Sequence, residues 1–161
     1  MENLRDFFVH EIREIYDAEH QVLVLLKKIV KEVDSDALRT EFEKELHKTE
    51  GRIQRLESIA YELGIDLEGE KSIGMRGLVN ELNVVLKDHE DEDTQDAALL
   101  AAYQKIQHYA IATYGTLRSY AHLLKCALTE NYCLQSLQEE KQTDRRLTKL
   151  AERQLNPEAV H

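Results

Sequence analysis

The chain has 161 residues, enough to bury the core of one domain and short for two, so a single domain spanning 1–161 is expected. One proline, six glycines and sparse aromatics favour long helices over a sheet, which points to an all-α protein. Lys and Arg total 21 against 31 Asp and Glu; the resulting formal charge of −10 opposes binding to phosphate backbones and anionic lipid, so nucleic acid is not an expected partner.

The N-terminal stretch MENLRDFFVHEIREIYDAEH carries acids throughout and no apolar block with a cleavage site, and nowhere does an apolar run approach about 18 residues. A soluble, cytoplasmic protein without membrane segments is expected. From Glu2 to about Val33, Leu4, Phe8, Ile15, Val22, Leu26, Ile29 and Val33 follow steps of three, four and seven, the period of a helix facing a bundle. DSDA at 34–37 supplies capping residues for a restart. Leu38, Phe42, Leu46, Ile53, Leu56, Ala60 and Leu63 then mark a second long helix closed by Gly64. So short a connection implies antiparallel neighbours.

GIDLEGEKSIG is polar and glycine-bearing, and MRGLVNELNVVLKDH supports a short amphipathic helix before the acidic run EDEDTQD. A crossover of about thirty residues exceeds the usual two to eight of a bundle loop and is expected to carry the chain along the molecule. A third long helix follows over DAALLAAYQKIQHYAIATYGTLRSYAHLL, through Leu99, Tyr103, Ile106, Ala110, Leu117 and Leu124. After a bend near 125–129 a fourth runs to about Gln154, with Asn156 and Pro157 expected to end it. Cys126 and Cys133 lie seven apart, roughly 10 Å along one helix and too far to bridge. Two antiparallel hairpins joined by one long crossover have the connectivity of a ferritin-like four-helix bundle, in which carboxylates and histidines at mid-helix project inward and hold two metal ions.

That connectivity directs attention to acids on apolar seams. On the fourth helix, Cys133, Leu137, Glu140, Asp144, Leu147 and Ala151 share one face, so Glu140 and Asp144 interrupt a core seam. They are either inward ligands or a hydrated seam paired with Lys141, Arg145 or Arg146. Glu19, amid Ile15, Tyr16, Val22, Leu23 and Leu26, is either an inward ligand or an edge residue reaching water. On the second helix His47 and Glu50 stand three apart and could share a metal, in the reverse order of the Glu-x-x-His of di-iron bundles, or lie on a solvated face. Gly51 at mid-helix is consistent with a close helix contact. On the third helix Gln107 and Ala110 face inward with His108 turned aside. Tyr16, Tyr103, Tyr109, Tyr114 and Tyr120 read first as packed rings with anchored hydroxyls, Tyr16 being placed to bond an inner carboxylate.

The segments EIYDAEHQ, GMRGLVNELNVVL, DAALLAAYQKIQHYAIATYGTLRSYAHLL and EEKQTDRRLTKLA together resemble the YciE/YciF-type ferritin-like proteins, a bacterial family associated with stress responses. The resemblance runs from about residue 3 to 152. It implies a ferritin-like bundle, a homodimer, and a non-haem iron or manganese site, mono- or dinuclear, at Glu19, Glu50, Glu140 and Asp144. The chain departs from the family pattern where Gln107 and Ala110 replace glutamates of a Glu-His-Tyr-Glu motif, and where Arg52 stands in place of a histidine. Two functions follow. One is a metal-binding protein of this fold, with iron oxidation or peroxide chemistry as its conceivable reaction and an incomplete ligand set. The other is a metal-free structural or interaction protein whose inner acids pair with Arg52, a guanidinium fork being suited to bridge carboxylates.

Overall fold

The computed structural model describes residues 1–87 and 91–160. Among them the structure is all helical: α1 (Leu4–Ile29), α2 (Asp36–Leu63), α3 (Ile73–Val85), α4 (Glu92–Leu123), α5 (Ala127–Leu150), a π turn (Ala151–Leu155) and a final turn, α6 (Asn156–Glu158). The four long helices α1, α2, α4 and α5 form the bundle, paired as α1 with α2 and α4 with α5, and α3 lies across α1 and α4.

Each of the first four helices begins where a side chain takes up an unpaired backbone N–H. Asn3 accepts from Asp6, Ser35 from Leu38, Ser72 from Met75 and Asp91 from Thr94. Gly64 closes α2 at φ 64°, a left-handed conformation that costs a residue without Cβ nothing. The corner between α4 and α5 turns instead on Lys125, at φ 58°.

Three local features differ from the sequence reading. The acidic run belongs to α4 rather than preceding it, because Glu92 and Asp93 occupy the first turn, where carboxylates meet the positive end of the helix dipole. Glu90 of that run, and Asp88 and His89 at the end of the preceding predicted helix, lie outside the described residues. The last helix does not stop at Asn156 and Pro157. Its backbone widens at 151–155, with the Asn156 N–H bonded to the Ala151 carbonyl, and Pro157 then sits at the start of a new turn, where its missing N–H is not needed. Gly51 makes no close helix contact, since a Cβ there would meet only the Arg55 guanidinium at 3.8 Å.

The crossover is fastened to the bundle through Ser72. Its N–H donates to Asp17 (2.9 Å), its carbonyl accepts from Gln21 (3.2 Å), and its hydroxyl pairs with the Tyr109 hydroxyl (2.8 Å). At one end of the bundle Asp96 of α4, 3% exposed, accepts from the Ser35 and Asp34 N–H groups and ties down the α1–α2 connection.

Candidate functional site

Along α2, Leu38, Phe42, Glu45, Thr49, Arg52, Leu56 and Ile59 recur in alternating steps of four and three, and all seven are buried. Three consecutive members of this inner line are polar. The third, Arg52, is 1% exposed and sits at the centre of the bundle. Its Nε donates to Glu19 of α1 (2.8 Å); one terminal nitrogen lies 3.0 Å from Glu140 of α5 and 3.4 Å from Glu45 of its own helix, and also donates to Thr49 (2.9 Å). The other terminal nitrogen is 3.8 Å from Glu139, whose partner on the outer side is Arg55.

Each carboxylate around Arg52 has further partners. Glu19 accepts from the Tyr114 hydroxyl of α4 (2.7 Å), and Glu140 accepts from the Gln107 amide (3.2 Å). Glu45, fully buried, accepts from Thr143 and has Lys48 at 3.5 Å. The Thr143 hydroxyl in turn accepts from Lys48 (3.0 Å) and Arg146 (2.9 Å), which uses its one donor and both lone pairs. One connected network thus spans all four long helices.

The electrostatics follow from three acids sharing one central cation. Burial works against the Arg52 charge, but Glu140, Glu19 and Glu45 outweigh it and hold the guanidinium firmly protonated. Burial pushes the Glu140 carboxyl up to about 8, with Arg52 and Gln107 opposing and the Glu45 and Glu19 charges assisting. Glu140 is therefore the acid around Arg52 that takes up a proton most readily. The Tyr103 and Tyr114 hydroxyls are driven well above their usual range by burial and the neighbouring carboxylates. Both are neutral, and Tyr114 donates to Glu19.

Of the four acids assigned from sequence to a metal site, the structure brings Glu19 and Glu140 together. Glu50 lies on the outer face of α2, 44% exposed, beside His47 at 3.6 Å. Asp144 lies at the bundle edge, bonded to Gln104 (3.0 Å) and 3.1 Å from His108. The seam position next to it is filled by Thr143, which is fully buried. Glu45 is the inner acid the sequence reading passed over. The signal was present in its step of three from Phe42 and seven from Arg52. Tyr16 bonds Glu57 near the surface (3.3 Å), so the tyrosine that reaches an inner carboxylate is Tyr114. Gln107 and Ala110 are buried and His108 is 65% exposed.

The inner residues do not fit a di-metal centre. Two divalent ions need several anionic oxygens facing one another and commonly histidine, whereas a guanidinium stands between these carboxylates and no histidine joins them among the described residues. The one group of His, Cys, Asp or Glu there whose ligand atoms all approach within 4.8 Å is His10, Glu11 and Glu14, at the N-terminal end of α1 outside this core. No described helix is long and apolar enough to cross a membrane.

A four-helix protein with a helical crossover and a buried arginine–carboxylate core is thereby defined. The chain belongs to the family described as a domain of unknown function, DUF892, whose model matches residues 3–160. It is 35% identical over 160 residues to Protein YciF of Escherichia coli K12, covering 99% of this chain and 96% of that protein. The crystal structure of that E. coli stress protein superposes with a TM-score of 0.93, over 97% of this chain and 99% of the other. YcfI of Rhodopseudomonas palustris, for which a structural role has been suggested, is 29% identical with a TM-score of 0.88, over 92% and 94% of the two chains. A protein of Xanthomonas campestris, 15% identical, shares the fold with a TM-score of 0.76 over 93% and 92%.

Proposed function

We propose that this chain is a stress-associated, ferritin-like protein that acts as a structural or interaction module, a cytoplasmic homodimer whose interior is stabilised by Arg52 instead of by iron or manganese. The observation that carries this reading is the position of Arg52: it is buried, and its nitrogens lie within 3.4 Å of Glu19, Glu45 and Glu140. A guanidinium so placed takes up one oxygen of each of these carboxylates and puts its positive charge where a metal would stand. The stress association of the E. coli relative and the structural role suggested for YcfI agree with a function that needs no redox turnover.

The test is elemental analysis of protein purified without chelator, followed by anaerobic ferrous and manganous titration of the apo-protein, read by heat and by thermal shift. The expected result is substoichiometric metal, no saturable interior site and a Tm indifferent to EDTA, because only a ligand that binds the native state raises stability by mass action. Weak uptake abolished by His10→Ala would be assigned to the surface of α1 and would leave the reading intact. Stoichiometric binding abolished by Glu19→Gln and Glu140→Gln would overturn it.

A further inference from the structure

Beside the arginine core lies a small enclosed cavity of about 10 Å³, bordered by α1, α3, α4 and α5. Most of its wall is apolar, including Ile15, Val22, Met75 and Ile106, and Ala110 leaves one side short of bulk. Its polar edge is Glu19, Gln107 and Glu140. Two atoms of that edge, Glu19 Oε2 and Gln107 Oε1, have no hydrogen-bond partner, although their residues are 2% and 1% exposed. Leaving a buried polar atom unpaired costs about 1–3 kcal/mol, more when it is charged.

We infer that this cavity is a binding site for a single water molecule, which donates one hydrogen to Glu19 Oε2 and the other to Gln107 Oε1. Both unpaired atoms are acceptors, so the occupant must supply two donors, which excludes an anion, a carbonyl or an apolar gas. About 10–15 Å³ of cavity is the room one water needs, and two to four polar partners are what it requires. A hard cation takes six or more oxygens; the side chains lining this cavity that carry a polar group are Glu19, Gln107, Glu140 and Tyr103, and Arg52 already claims an oxygen of Glu19 and of Glu140. The water oxygen retains lone pairs on the side of the cavity that Glu140 lines. α1 and α4 are linked through this water beside the level at which Arg52 links α1, α2 and α5.

The inference rests on Arg52 holding Glu19 and Glu140 in place, as the metal-independent reading has it. Its test is a crystal structure of the full chain, grown from rubidium chloride, measured at the rubidium edge and at a resolution that shows ordered waters, alongside the same crystal form of Gln107→Met. The expected result is one spherical feature within hydrogen-bonding distance of Glu19 and Gln107, without anomalous signal, lost in Gln107→Met. An anomalous peak, a cavity without density, or a Gln107 amide bonded directly to Glu19 would each overturn the water site. None of these touches the metal-independent reading, which only an interior divalent ion would overturn.

Discussion

Arg52 and Glu140 concentrate the energetics of the molecule in two side chains. Removing the cation from a buried ion network strands its partners, at a cost of about 3–5 kcal/mol. Arg52→Met is expected to lower stability in urea by about that amount, and Arg52→Lys to recover only part of it, since one ammonium cannot span three carboxylates on three helices. Glu140 sets a pH dependence whose sign follows from its raised folded pKa. The native state holds a proton that the unfolded chain releases near 4.5, so stability falls as pH rises from about 4.5 to about 8 and the acid is forced to ionise among Glu45, Glu19, Tyr103 and Arg52. Urea denaturation at pH 5, 7 and 9 is expected to show that decline, and Glu140→Gln to flatten it. A Glu140→Gln variant as pH-sensitive as the parent would place the titration elsewhere. Glu19 and Glu140 could be found from sequence because their neighbours at three and four residues are apolar. Glu45 and Thr143 were missed because a polar residue on a seam looks like a surface residue until the partner that satisfies it, on another helix, is known.

Among the elements, the glycines separate two structural roles. Gly51 sits inside α2 with room for a methyl group, so Gly51→Ala is expected to raise stability by about 0.5–1 kcal/mol through helix propensity alone. Gly74 is the opposite case, because a Cβ there would come within 2.9 Å of the Tyr109 ring. Gly74→Ala must move that ring and with it the Tyr109–Ser72 hydroxyl pair, and is expected to lower Tm and increase amide exchange in α3. Helix existence and order were legible from apolar periodicity, and so was the short helix in the crossover. The ends were less so. Pro157 reads as a stop in any local rule, and only the wider π turn before it, packed beneath α4, lets the chain continue.

On the scale of the whole molecule, the bundle is held by a polar pin at one end, by a second that fastens the crossover at mid-bundle, and by charge in its centre. Asp96 holds the α1–α2 connection by two backbone bonds and Ser72 holds the crossover to α1 and α4. Asp96→Ala is expected to cost about 1–3 kcal/mol, since it leaves the Asp34 and Ser35 N–H groups without the acceptor they now share. Fold class and connectivity followed from helix lengths and one long crossover, quantities that a linear chain displays directly. Arg52 was already legible as one of two alternatives for the central cation, but the choice between them was not, because whether four carboxylates converge on a metal or three converge on an arginine depends on helix rotation by a fraction of a turn, and periodicity read by eye does not resolve that angle.

The network centred on Arg52 also constrains how this protein can change over evolutionary time. Any single substitution of the arginine abandons three acids at once, while any single loss among the acids leaves the cation over-supplied with donors. The residues 19, 45, 52 and 140 are therefore bound by epistasis and are free to drift only as a set. Replacing Arg52 alone would therefore leave a cluster of uncompensated buried acids, and an open carboxylate cage would require changes at several of these positions together.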